Sequence, residues 1–195
     1  MRRAFPLFAH FVMAAVLIGV SGARAAGQGQ SKEPSAAVSR ADEALRAWNE
    51  IGNKLVAMAE DFPEDKYDFK LQKDERTFAQ NILHVASVDF DLISNVAGAH
   101  VGPDFGKDKH NPSRDVYKTK ADVVKLIRDA VAEGGKLIQQ QGDAGLDATK
   151  KYSWGNRMVR HSYIWTVVIE HSAEHYGQLV VYYRANGLVP PDSRR

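Results

Sequence analysis

His171 and His175 stand four residues apart in Glu170-His171-Ser172-Ala173-Glu174-His175-Tyr176-Gly177-Gln178, and His84 lies in an earlier run, Asn81-Ile82-Leu83-His84-Val85-Ala86. On an α-helix a four-residue step turns by about 40° and rises about 6 Å, so the imidazoles of 171 and 175 stand one above the other and can converge on one ion. A third imidazole from a neighbouring helix would make a three-histidine site with open positions. That arrangement suits reactive metal chemistry better than a closed structural zinc, which usually has four protein ligands. Neutral imidazoles suit zinc, nickel, copper or ferrous iron, and three of them leave the ion its full double charge. Water bound there would be acidified into a nucleophile or base near neutral pH. Bonds of roughly 2 Å to a shared ion require the His84 ring to lie within about 6 Å of the other two.

The elements that would hold these rings read as helices. Ser39, with Asp42 three residues on, starts the first, and Ala41, Leu45, Trp48, Ile51, Leu55, Met58 and Phe62 step along one stripe until Pro63 ends it. A loop to about Lys73 carries Tyr67 and Phe69, spaced to cover an end of the core. The second helix is predicted from about Asp74 to Val96, with Gly98 as its stop. Phe78, Ile82, Val85, Leu92 and Val96 form its apolar face. Beside that face runs a second stripe, Asn81, His84, Val88, Asp91 and Asn95, and polar groups next to a core face hint at a pocket.

From Gly98 to Thr119 the chain reads as loop; its acids Asp104 and Asp108 do not fit a calcium-loop spacing. The third helix is signalled by Val123, Val124, Leu126, Ile127, Ala130 and Val131, reaching Ile138 after a kink or break at Gly134-Gly135, and residues 142–151 read as a connection. The fourth is predicted from about Asn156 to Ala185, capped by Gly187 and closed by Pro190-Pro191. Along it His161, Ile164, Val168, His171, His175, Leu179 and Tyr182 recur at helical steps, which turns both paired histidines inward. An alternating strand pattern of comparable strength is missing. The fold class is therefore all-α: a four-helix bundle with long inter-helix connections.

The amino terminus reads differently. Arg2 and Arg3 precede an apolar run from Phe5 to Val20, and Ala23-Arg24-Ala25 has the form of a signal-peptidase site, so residues 1–25 are expected to be a cleaved export signal that leaves no stable membrane span. The mature chain would be exported, periplasmic or secreted. Residues 26–38 are small and polar, the composition of a flexible linker, and 39–195 form the domain. Losing three arginines and no acid moves the formal charge from +2 to −1, so the basic balance belongs to the signal and no nucleic-acid surface is expected. The chain has no cysteine, which excludes a disulfide framework, a lipoprotein anchor, a thiolate ligand and a cysteine nucleophile.

The mid-helix His84 paired with His-x-x-x-His-Tyr-Gly-Gln in the last helix resembles the DinB-like (YfiT-like) family. The likeness takes in the turn Met58 to Tyr67, Arg76-Thr77-Phe78 and the closing Asn186-Gly187-Leu188-Val189-Pro190-Pro191. The resemblance implies an up-down-down-up bundle, often a homodimer, with three histidines on a divalent metal, matching His84, His171 and His175. It suggests a metal-dependent hydrolase or transferase for an unknown small molecule. Asn81, Gln178 and Tyr182 would stand near the ligands, and Asp91, about two turns past His84, is an acid placed to balance charge or accept a proton. His100, His110 and His161 read as structural or solvated.

Two other readings compete. His171-Ser172-Ala173-Glu174-His175 fits the His-x-x-Glu-His pattern of inverted zinc peptidases, whose Glu is the general base. Those enzymes take a further acidic ligand from well downstream, and only twenty residues follow His175. The third ligand decides between them, His84 for the bundle and an acid for the peptidase. The other alternative is a non-catalytic metal-binding or dimerising module, with Trp48, Trp165, Tyr163 and Tyr183 serving a core or a subunit face.

Overall fold

Ser39 caps the first helix, α1 (Arg40–Asp61), by accepting from the Asp42 amide, and the chain leaves it at Phe62, before Pro63. The computed structural model describes residues 37–194; the expected export signal and nearly all of the linker lie outside the described residues. Three further helices follow: α2 (Phe78–Ala97), α3 (Lys120–Asp147) and α4 (His161–Ala185). A two-stranded antiparallel hairpin, β1 (Thr149–Lys151) with β2 (Met158–Arg160), joins α3 to α4.

Residue pairs fix the directions. Arg40 meets Asp147 and Glu60 meets Arg128, so α1 and α3 run opposite ways. Trp48 meets Trp165 and Met58 meets Tyr183, so α1 and α4 run the same way. Asn81 meets His175 and Asp89 meets Ser172, so α2 opposes α4. The bundle is up-down-down-up, with α1 and α2 both flanked by α3 and α4.

The stripes read from the sequence face inward: Trp48, Leu55, Met58 and Phe62 on α1, Phe78, Ile82, Val85, Leu92 and Val96 on α2, and Ile164, Val168, Leu179 and Tyr182 on α4 are buried. One end is filled by aromatic rings, with Phe62 stacked on Phe78 at 3.9 Å and Tyr67 and Tyr183 against them. Phe69 packs on the rim of this cluster.

Three boundaries differ from the periodicity. α2 starts at Phe78 rather than Asp74, because Thr77 and Gln80 form a reciprocal capping box that satisfies two free amides. α3 passes through Gly134-Gly135 without a break, is kinked at Gly142 (φ 56°, ψ −169°), and runs on to Asp147, so the first part of the expected 142–151 connection is helical. The glycine pair has a packing reason: a Cβ on Gly134 would stand 2.4 Å from the Trp48 ring. α4 starts at His161 rather than Asn156, since residues 149–160 fold as the hairpin. Strands of three residues are too short for alternation to register.

Candidate metal centre

α2 and α4 bring the three histidines together. The centroid of the His84 ring is 5.1 Å from that of His171 and 4.8 Å from that of His175, and the pair on α4 is 4.6 Å apart. One ligand atom from each lies within 4.8 Å of the others. His175 is buried and the other two are half-buried.

Hydrogen bonds fix which nitrogen is free on two of the rings. His84 Nδ1 is 2.6 Å from the His110 carbonyl, which can only accept, so Nδ1 carries the proton and Nε2 keeps its lone pair. His175 Nδ1 is 3.2 Å from Asn81 Oδ1 and donates to it, while Asn81 Nδ2 reaches back to the Thr77 carbonyl. Asn81, expected from the sequence to stand near the ligands, therefore orients His175. His171 is placed by packing, with its ring centroid 6.2 Å from that of Trp154 in a T-shaped contact and its buried Nδ1 unpartnered.

His171 Nε2 and His84 Nε2 are 3.2 Å apart. Two imidazole nitrogens bonded tetrahedrally to one zinc at about 2.0–2.1 Å would stand roughly 3.3 Å apart, so the His84–His171 pair is spaced for a small divalent ion. The rings are ready to bind, because protonated imidazole cannot ligate. Burial, aided by the neighbouring imidazoles and by Arg76, pushes His171 down to about 3 and His175 down to about 4. Burial likewise lowers His84, against the opposing pull of the His110 carbonyl.

The polar stripe on α2 turns out to be a row of anchors. Asn81 holds His175, and Asn95 bonds the backbone of Lys151 and Ser153, docking the hairpin. Asp91 accepts from Lys109, from Trp154 Nε1 at 2.7 Å and from His110 Nε2 at 3.1 Å. Burial alone would raise Asp91, but these donors outweigh it and hold the carboxyl below its ordinary value. Asp91 is thus a charged tie between the 98–119 connection and the hairpin, and the gathered triad contains no acid. Tyr182 donates to the Arg76 carbonyl, and Gln178 is exposed. Glu174 is also exposed, and the third residue beside the α4 pair is His84, as the bundle reading requires.

Sequence reasoning missed two residues next to the site. His110 read as structural or solvated, yet its carbonyl orients His84; a main-chain bond from a loop leaves no mark in the side-chain pattern. Trp154 stands 40% exposed at the hairpin tip, and a tryptophan set between Ser153 and Gly155 in a turn was the available signal. His161, by contrast, pairs with Gln141 at 3.0 Å, away from the triad.

Asp89 is a third missed group, fully buried with the Ser172 hydroxyl donating to it at 3.1 Å. Burial raises its pKa well above normal, which favours the neutral acid, against the opposing effect of the Ser172 hydrogen bond. A group whose folded pKa is raised gives its full stability below the unfolded pKa of about 3.9 and loses it as pH rises. Asp89→Asn, which mimics the protonated acid, is expected to stabilise the metal-stripped protein at pH 7 and to have little effect near pH 3.5. Chemical denaturation at the two pH values checks this; an equal effect at both would rule out proton linkage as its origin.

A DinB-like protein from Bacillus cereus ATCC 10987 superposes with a TM-score of 0.64 at 15% identity, over 78% of this chain and 96% of its own. YfiT from Bacillus subtilis, described as a probable metal-dependent hydrolase with an unusual four-helix bundle topology, gives 0.56 at 15% identity, over 80% of this chain and 94% of its own. No curated protein matches the chain. The family model of the DinB superfamily matches residues 35–179, and the chain belongs to that superfamily.

Proposed function

We propose that the protein holds one divalent transition-metal ion through His84, His171 and His175 and uses it in hydrolysis or group transfer on a small molecule. The observation that carries this reading is the convergence of three imidazoles from two helices, with ligand atoms within 4.8 Å of one another and two Nδ1 protons engaged by fixed acceptors. An ion bound by three neutral ligands supplies Lewis acidity and an open position. The chain's own residues do the rest. Asn81 and the His110 carbonyl keep two rings in one tautomer, and Trp154 covers the edge of the third. The likeness to YfiT supports the hydrolase side of this reading, because that relative is described as a probable metal-dependent hydrolase.

Elemental analysis of tag-free protein is expected to find one zinc, nickel or iron per chain. After replacement by cobalt, azide is expected to change the visible spectrum, since an open position lets an outside ligand bind. A spectrum insensitive to azide at full cobalt occupancy would point instead to a closed ion and a non-catalytic metal-binding module.

A further inference from the structure

Arg76 stands just before the Thr77 cap of α2 and is held beside the triad from three directions. Its guanidinium donates from Nε and Nη2 to Asn111 Oδ1, at 3.2 and 2.9 Å. Asn111 directly follows His110, whose carbonyl orients His84. The Arg76 carbonyl accepts from Tyr182, seven residues past His175 on α4, and the next carbonyl, that of Thr77, accepts from the Asn81 that orients His175. The same backbone segments therefore position the guanidinium and the ligands.

This cation is not committed to an acid. Among the described residues Arg76 forms no ion pair, and its one side-chain partner is a neutral amide. Asn111 uses its own Nδ2 to hold Asp108 at 2.9 Å, so the amide stands between the guanidinium and that carboxylate. Asp91 is occupied by Lys109, His110 and Trp154. The neighbouring Arg114 is spent on Asp68 and the Tyr117 carbonyl. Arg76 lines a hollow of about 560 Å³ together with Arg114 and the acids Asp74, Glu75, Asp108 and Asp115.

We propose that Arg76 is the oxyanion anchor of the site, taking a carboxylate or phosphate group of the substrate while the reacting part of the molecule reaches the ion held by the three histidines. A guanidinium has five N–H donors in a fixed fork, and Asn111 engages only two of its nitrogens, leaving donors for a paired contact. The ion, with three neutral ligands, adds uncompensated positive charge at the other end. This inference rests on the metal-centre reading and narrows its substrate class to small oxyanions.

The test uses the cobalt-loaded full chain, titrated with inorganic phosphate, acetate and azide while the visible spectrum and tryptophan fluorescence are followed. In Arg76→Gln, phosphate and acetate are expected to bind about 10- to 100-fold more weakly, while azide and cobalt affinities stay within about threefold. Arg76→Lys, which keeps the charge and loses the fork, is expected to recover part of the loss. The tighter of the two probes in the wild type identifies the headgroup. Unchanged phosphate and acetate binding in Arg76→Gln overturns the anchor and leaves the metal centre standing. Parallel loss of cobalt in both variants also overturns it, making Arg76 a structural post for Asn111. A wild-type chain that takes up no cobalt overturns the metal-centre reading itself.

Discussion

His171→Ala is expected to weaken divalent-ion binding by on the order of a thousandfold, about 4 kcal/mol, because it removes one of three ligands and leaves a pair that cannot enclose the ion. The loss should appear in competition with a chromophoric chelator as well as in metal content after dialysis. Asn81→Ala keeps all three ligands and frees only the His175 ring, so a smaller loss of about 10- to 100-fold is expected. His161→Ala provides the control, since that ring bonds Gln141 outside the triad. If His161→Ala lost the ion as fully as His171→Ala, the site would not be the one described here.

Gly134→Ala is expected to destabilise the bundle by about 3 kcal/mol, with a fall in melting temperature of roughly 6–12 °C for a domain of this size. The added methyl would sit 2.4 and 2.5 Å from two atoms of the Trp48 ring. That ring cannot swing aside, because it is 1% exposed, donates to the Val131 carbonyl at 2.8 Å and packs edge-on against Trp165 at 5.7 Å. Gly177 is the matched contrast, an exposed helical glycine with nothing within 4 Å of its would-be Cβ. Gly177→Ala should gain about 0.5–1 kcal/mol by removing backbone freedom from the unfolded chain. Calorimetry of the two variants would show opposite shifts; a shared sign would mean that helix propensity, not packing against Trp48, governs position 134.

The long elements were readable because burial imposes a period. Trp48, Leu55 and Met58 repeat as a helix must if one face is to meet a core, and the same period turned His171 and His175 inward. His84 could be paired with them because a ligand set needs a third member and a family likeness named its place. What escaped was structure held by single contacts. The start of α2 depends on one Thr77–Gln80 exchange and the hairpin on three residue pairs, neither of which leaves a periodic trace. Asp91 was noticed for its charge, but its partners Lys109, His110 and Trp154 come from segments 18 to 63 residues away, and only the folded chain shows that it ties loops together.

The separation of the ligands along the chain sets the order of events during folding. His171 and His175 can share one helical turn early, whereas His84 lies 87 residues from His171 and joins only when α2 docks against α4. Closing so long a loop costs conformational entropy, so coordination by the three proposed ligands is expected to be completed late in folding. The ion should therefore slow unfolding far more than it speeds refolding, acting as a latch on a finished bundle and not as a nucleus for it.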